Sequence, residues 1–70
     1  MRWSPERLDQ LERAARESRR VMLVRRGTEY VVVAIRVTAR DSRDVLIGRN
    51  PMTGEEMAFS LGDIESLMIL

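Results

Sequence analysis

The chain of 70 residues contains no cysteine, no histidine and no lysine. All twelve of its basic residues are arginine. The absence of cysteine excludes disulfide bonds, and the absence of histidine as well leaves no thiolate or imidazole ligand for a metal. No histidine, cysteine or lysine is present to serve as a catalytic base, nucleophile or Schiff-base former. The sequence therefore predicts a protein that is not an enzyme and that needs no cofactor.

Two further absences concern membranes. The sequence has no apolar run of the length that crosses a bilayer. Its first residues, Met1-Arg2-Trp3-Ser4-Pro5-Glu6, become charged at once instead of opening a secretory signal. We expect a soluble cytoplasmic protein with no membrane partner.

A chain of this length has room for one domain, which is predicted to span residues 1–70. A domain of this size buries only about 60% of the surface that its unfolded chain exposes, so its core is thin. Small domains compensate with disulfides, metals or self-association. Because disulfides are excluded and metal ligands are scarce, we expect a homo-oligomer.

Charge is unevenly distributed along the chain, although the formal net charge is only +1. Eleven of the arginines lie in residues 1–43 with six acidic residues, whereas residues 44–70 contain one arginine and five acidic residues. Arginine binds phosphate and carboxylate groups through its planar fork. An all-arginine inventory is also what a GC-rich genome produces, so composition alone leaves both interpretations open.

An N-terminal helix is predicted over residues 5–19. Ser4 is a favourable N-cap, and Pro5 suits the first helical position. Apolar or small residues then recur at helical spacing along one narrow stripe, formed by Leu8, Leu11, Ala14, Ala15 and Ser18. A stripe this thin cannot form a core by itself, so the helix must pack on other elements.

The strongest strand signal is the run Tyr30–Val37, which has five β-branched residues and no glycine or proline. A strand this long in a chain this short must bend and serve two layers of sheet. Shorter strands are predicted at residues 21–24, 44–49, 56–61 and 65–70, with Gly62-Asp63 as a helical turn that carries Ile64. The predicted fold is mainly β with one N-terminal α-helix: a five-stranded antiparallel SH3-like or Sm-like small barrel over residues 21–70, covered by the helix.

Part of the sequence resembles a known family. Residues 43–64 contain Arg43-Asp44-Val45-Leu46, then Gly54, then Phe59-Ser60-Leu61-Gly62-Asp63-Ile64. This pattern resembles the WYL domain, an Sm-like barrel of bacterial transcriptional regulators, and the resemblance implies that fold and a regulatory, nucleic-acid-binding role. The family's aromatic and basic ligand positions are occupied here by Asp44, Val45, Ser60 and Asp63, so Arg43 is the ligand position that the resemblance carries over.

The basic stretch from the helix to the first hairpin turn is the candidate nucleic-acid-binding site. If the end of the helix and this turn come together, their arginines form a patch that binds the phosphates of RNA or DNA. The predicted site residues are Arg13, Arg16, Arg19, Arg20, Arg25, Arg26 and Arg43. The alternative is a solvated helix face, partly neutralised by Asp9, Glu12 and Glu17, followed by an ordinary charged turn.

The C-terminal strand is the candidate oligomer interface, formed by Leu67, Met68, Ile69 and Leu70. Four consecutive apolar residues leave both faces and one edge of the strand in need of cover, and an exposed apolar edge favours pairing with another chain. The alternative function is therefore a protein–protein assembly module that self-associates through this strand. The other interpretation of this strand is that the helix covers one of its faces and barrel closure covers its edge.

Overall fold

The computed structural model describes residues 1–70. Its elements in chain order are helix α1 (Pro5–Arg16), strands β1 (Arg20–Arg25), β2 (Thr28–Arg40), β3 (Arg43–Arg49) and β4 (Glu56–Ser60), a 3-10 turn (Leu61–Asp63) and strand β5 (Ile64–Ile69). The predicted class, mainly β with one N-terminal helix and five antiparallel strands, is confirmed. Most strand boundaries lie within one residue of the prediction. The predicted helical turn is present, and Ile64 is both its C-cap and the first residue of β5, with a buried side chain.

Helix α1 begins where the sequence predicts and ends three residues earlier. The Ser4 hydroxyl accepts a hydrogen bond of 3.2 Å from the Arg7 N–H, as an N-cap does. Glu17 forms the C-cap, and Ser18 follows it with a φ of 53°. A residue in this left-handed conformation stops a helix. The predicted end at residue 19 is therefore wrong, and Arg19 lies outside the helix, where its N–H donates to the Ala14 carbonyl over 2.9 Å.

The five strands form one sheet in the order β4-β3-β2-β1-β5, and every neighbouring pair is antiparallel. The β1–β2 loop is Arg26-Gly27 and the β2–β3 loop is Asp41-Ser42. All four loop residues have positive φ, which is what a two-residue type I′ hairpin requires. These tight loops fix the register of the three central strands.

The predicted run Tyr30–Val37 forms the middle of β2, which is thirteen residues long. A β-bulge interrupts its pairing with β3 between Ala34 and Arg36. A bulge adds one residue to a strand and bends it. The face that packs on the core changes accordingly, from even-numbered residues such as Val32 and Ala34 before the bulge to Val37 after it.

The core lies between α1 and the inner face of the curled sheet. It is a cluster of eleven buried residues, to which α1 contributes Leu11, Ala14 and Ala15. The sheet and the 3-10 turn contribute Val21, Leu23, Val32, Ala34, Leu46, Phe59, Leu61 and Ile64. The helix thus covers the inner face of the sheet, and three further buried apolar residues, Val33, Val45 and Ile47, lie outside this cluster.

The sheet is open and does not close into a barrel through hydrogen bonds. Strands β4 and β5 are its two edges, and each pairs with only one neighbour. The Trp3 indole N–H donates to the Leu61 carbonyl over 2.9 Å, which ties the segment before α1 to the turn between these edge strands. The curvature of the sheet and the 3-10 turn bring the two edge strands around the core, but no ladder of backbone hydrogen bonds joins β4 to β5.

Candidate functional site

The register of the sheet shows which side chains share its outer face, the face turned away from α1. Residues directly opposite each other on neighbouring strands project to the same side. Arg20 of β1 and Arg49 of β3 both lie opposite Val33 of β2, so these three residues form one row across the sheet. Val33 is outside the core cluster that α1 covers, which places this row on the outer face.

Beyond this row, β2 and β3 continue as a hairpin that β1 does not reach, and we call residues 36–47 the arm. Arg36 lies opposite Ile47, and Arg40 lies opposite Arg43 at the end of the hairpin. Steps of two along β3 from Arg49 lead through Ile47 to Arg43, so all of them share the outer face. The arm therefore presents Arg36, Arg40 and Arg43 on that face, and all three are exposed.

A groove runs between the last turns of α1 and the arm. Glu12, Ala15 and Arg16 of α1 line it, together with Ile35, Arg36 and Val37 of β2. The pairing of β1 with β2 stops at Arg20 and Val33, so the edge of β2 away from β3 has no neighbouring strand along the arm. Helix α1 lies beside this edge. The groove brings Arg16, a residue of the predicted site, next to Arg36 and so to the arm.

The other predicted arginines near the helix end face elsewhere. Arg13 and Arg19 line a separate shallow cleft together with Gln10, Ala14, Glu17 and Ile69. One guanidinium nitrogen of Arg19 donates to the Leu70 oxygen over 2.8 Å, which links it to the end of β5. Arg20 lies on the outer face in the row with Val33. The stretch that looks continuous in sequence is therefore divided among three surfaces.

The first hairpin turn does not join the helix end. It lies at the far end of β1, about 16 Å from Arg20 at the usual rise per strand residue, since the strand runs from Arg20 to Arg25. The condition on which that patch depends, that the helix end and this turn come together, is therefore not met. Arg26 is exposed in the turn, and the Glu65 carboxylate accepts a hydrogen bond of 3.0 Å from the next N–H, that of Gly27.

Arg25 is occupied by contacts within the chain. Its guanidinium carbon lies 4.7 Å from the centroid of the Phe59 ring and 5.1 Å from that of Tyr30. The guanidinium also donates to the Ala58 carbonyl over 3.4 Å and to the Tyr30 hydroxyl over 3.3 Å. Arg25 thus reaches from β1 to the edge strand β4, where it stabilises the curled sheet rather than projecting towards a ligand.

We expect Arg25→Ala to lower the free energy of unfolding by about 1–2 kcal/mol, because two cation–π contacts and a hydrogen bond to β4 are lost. Chemical denaturation measures this change. The matched control is Arg26→Ala at the neighbouring exposed position, which should stay within about 0.5 kcal/mol of the wild type. Equal effects at the two positions would contradict the role assigned to Arg25.

The predicted oligomer strand is divided between the two faces of the sheet. Leu67 and Ile69 lie opposite Leu23 and Val21 and pack against the core. Met68 and Leu70 project to the other side, where 57% and 51% of their surface is exposed. The outer edge of β5 is also partly occupied, because an Arg7 guanidinium nitrogen donates to the Leu67 carbonyl over 3.1 Å.

Both free edges of the sheet are therefore contacted by an arginine. Arg25 binds the Ala58 carbonyl on β4, and Arg7 binds the Leu67 carbonyl on β5. Each bond occupies one backbone acceptor that another strand would otherwise use, and a positive charge at an edge opposes strand pairing. This arrangement makes edge-to-edge association through β5 less favourable than the sequence indicates.

Sequence reasoning missed the arginines that the outer face brings together, namely Arg36, Arg40 and Arg49. Arg36 lies within the apolar run of β2. Arg40 is the last residue of β2, directly before a loop, and Arg49 is the last residue of β3. A signal was present in β3, where steps of two from Arg43 lead to Arg49. In β2 the bulge at Ile35 breaks that period, so no simple alternation connects Arg36 to the earlier part of the strand.

The chain has neither a membrane-spanning helix nor a cluster of metal ligands. No helix is long and apolar enough to cross a membrane, and no three cysteine, histidine or acidic side chains are grouped so that they could hold a metal ion. Among known proteins, no family model, no curated protein and no solved structure matches this chain.

Proposed function

We propose that the arm and the groove beside it form a non-catalytic, regulatory nucleic-acid-binding surface that contacts the phosphates of RNA or DNA. The observation that carries this proposal is the pairing of Arg40 with Arg43 directly across the end of the hairpin. Like charges opposite each other in a sheet destabilise it by roughly 0.2–1 kcal/mol. A bound phosphate between the two guanidinium groups would remove that repulsion.

Two further arginines extend the proposed surface. Arg36 lies on the same outer face as Arg40 and Arg43, and Arg16 lies across the groove from Arg36. Glu12 is the acidic residue that lines this groove. The outer face of the arm thus carries three arginines, whereas the acidic residues of the arm are Asp41 in the loop and Asp44, which alternates to the other face. Arg43 is also the one ligand position that the resemblance to the WYL domain carries over.

The residues present favour phosphate contacts over base recognition. Proteins that bind single strands add aromatic side chains on which bases stack. Tyr30 packs edge-to-face on Phe59, with ring centroids 5.2 Å apart, and the Trp3 indole donates to the Leu61 carbonyl. Tyr30 lies away from the arm, and Trp3 lines a pocket with Arg43 and Asp44 but its indole N–H is already bound within the chain. We therefore expect micromolar or weaker binding that depends on salt and little on sequence.

The test is the variant Arg40→Gln/Arg43→Gln, titrated by fluorescence anisotropy against a labelled single strand and a labelled duplex at low salt. We expect the affinity for the single strand to fall about tenfold or more, and the slope of log K against log salt to fall by about 1.4, because each phosphate contact to a single strand contributes about 0.7. Both changes follow from removing two cationic contacts.

The matched control is Arg2→Gln/Arg26→Gln, which removes two exposed arginines outside the arm and changes the net charge equally. It should leave most of the affinity and the salt slope in place. Equal losses in the two double variants would show that net charge, and not this surface, holds the nucleic acid. If neither strand nor duplex binds the wild-type protein at low salt, the proposal is wrong.

A second candidate function is an assembly module that forms a homo-oligomer. The observation that favours it is the exposure of Met68 and Leu70, which lie on the outer face instead of in the core. The two functions are compatible, since an oligomer would multiply a weak basic surface and raise its overall affinity.

A further inference from the structure

An apolar row crosses the outer face at the end away from the arm. Met22 of β1 lies directly opposite Met68 of β5 on one side and Val31 of β2 on the other. Met68 and Val31 are among the few large apolar residues that the structure exposes. The row therefore spans three strands, and nothing within the chain covers its two ends.

Charged residues flank this row in a definite order. The next row towards the arm contains Leu70, Arg20, Val33, Arg49 and, on β4, Glu56 opposite Arg49. An arginine therefore lies on each side of Val33. The next row in the other direction contains Ser66, Val24 and Glu29. The two arginines next to Val33 thus lie on one side of the apolar row and Glu29 lies on the other, with Glu29 and Val33 both on β2.

We propose that this outer face binds a second copy of the chain face to face, through a two-fold axis that runs along the row Met68–Met22–Val31. Such an axis places each of these residues over its own counterpart and exchanges the two flanking rows. Glu29 then lies over the partner's Val33, between the partner's Arg20 and the partner's Arg49. Neighbouring strands are about 4.8 Å apart, so a carboxylate at this position is within reach of either guanidinium.

The two-fold symmetry repeats this charge contact. The partner's Glu29 lies between Arg20 and Arg49 of the first copy in the same way. A two-fold axis along β1 would instead set Arg20 over the partner's Arg20, and like charges at an interface are costly. Pairing through the sheet edges is opposed by Arg7 and Arg25, whose side chains occupy edge carbonyls. The charge pattern therefore selects one occupant and one orientation.

The proposed dimer leaves Arg40 and Arg43 free. Both lie two rows beyond Arg36, whereas the partner's Arg26-Gly27 loop lies only two to three residues from its Glu29 and reaches about as far as the row of Arg36. The interface also does not depend on nucleic-acid binding by the arm. A patch of about three rows is small beside standard interfaces of about 1,600 Å², so we expect dissociation in the micromolar to millimolar range.

The test is sedimentation velocity over that concentration range with the wild type, Glu29→Arg and the charge swap Glu29→Arg/Arg20→Glu/Arg49→Glu/Glu56→Arg, which keeps opposite charges at the paired positions 49 and 56. We expect a concentration-dependent dimer for the wild type. Glu29→Arg should raise the dissociation constant at least about tenfold, because it faces two arginines of the partner. The charge swap should restore the wild-type dissociation constant within a few-fold.

Glu29 is exposed, so its substitution should not unfold the chain, and circular dichroism checks this for each variant. The control is Asp63→Arg, an equal charge change at an exposed residue of the 3-10 turn, which should leave the dimer unchanged. A wild-type protein that stays monomeric at millimolar concentration overturns the proposal. A dimer that Glu29→Arg leaves intact, or that the charge swap does not restore, overturns it as well.

Discussion

Phe59→Ala should lower the free energy of unfolding by about 3–5 kcal/mol, which is the usual loss for deleting a buried phenylalanine side chain. Phe59 has no exposed surface and is among the largest side chains in the core. Its ring contacts the Tyr30 ring edge-to-face and lies under the Arg25 guanidinium. A domain of this size is only marginally stable. We therefore expect the variant to be largely unfolded even without denaturant, and thermal and chemical denaturation measure this.

The control for Phe59→Ala is Met52→Ala, which deletes a large apolar side chain that is 90% exposed. Its expected effect is within about 0.5 kcal/mol of zero. Phe59→Leu separates packing from ring chemistry, since it keeps apolar volume but removes the contacts to Tyr30 and Arg25. A loss below about 1 kcal/mol for Phe59→Ala would show that β4 does not close over the core as described.

The elements that the sequence predicted well are those with local causes. The start of α1 follows from the Ser4-Pro5 pair, whose capping hydrogen bond is present. The run Tyr30–Val37 is a strand because its β-branched residues suit a pleated surface. The class of the fold follows from these signals and from the spacing of the shorter strands.

Features that depend on contacts between distant residues could not be predicted. The β-bulge at Ile35 has no glycine to announce it, and it decides which residues of β2 face the core. The left-handed φ of Arg26, Asp41 and Ser42 lies in loops without the usual Asn-Gly pair. The long reach of Arg25 to Ala58 depends on how the whole sheet curls.

The candidate site shows the same division. Continuity in sequence suggested that Arg19–Arg20 and Arg25–Arg26 act together, but β1 separates them by its whole length. Arg40 and Arg43 look like ordinary residues on either side of a turn, and only the register of the hairpin sets them directly opposite each other. The number of arginines in the chain was therefore readable from the composition, whereas their arrangement on the outer face was not.

Gly48→Ala should lower the free energy of unfolding by about 1–3 kcal/mol, the usual cost of overpacking a filled core. Gly48 lies opposite Ala34, beside the bulge that bends β2. A Cβ atom at this position would lie 2.7 Å from Cγ2 and 3.0 Å from Cβ of Val32, a stiff side chain close to the backbone. Val32→Ala removes that methyl group, so Gly48→Ala/Val32→Ala should lose less stability than the sum of the single variants, as a double-mutant cycle by chemical denaturation measures. Strict additivity would mean that the close approach of β3 to Val32 does not hold the glycine in place.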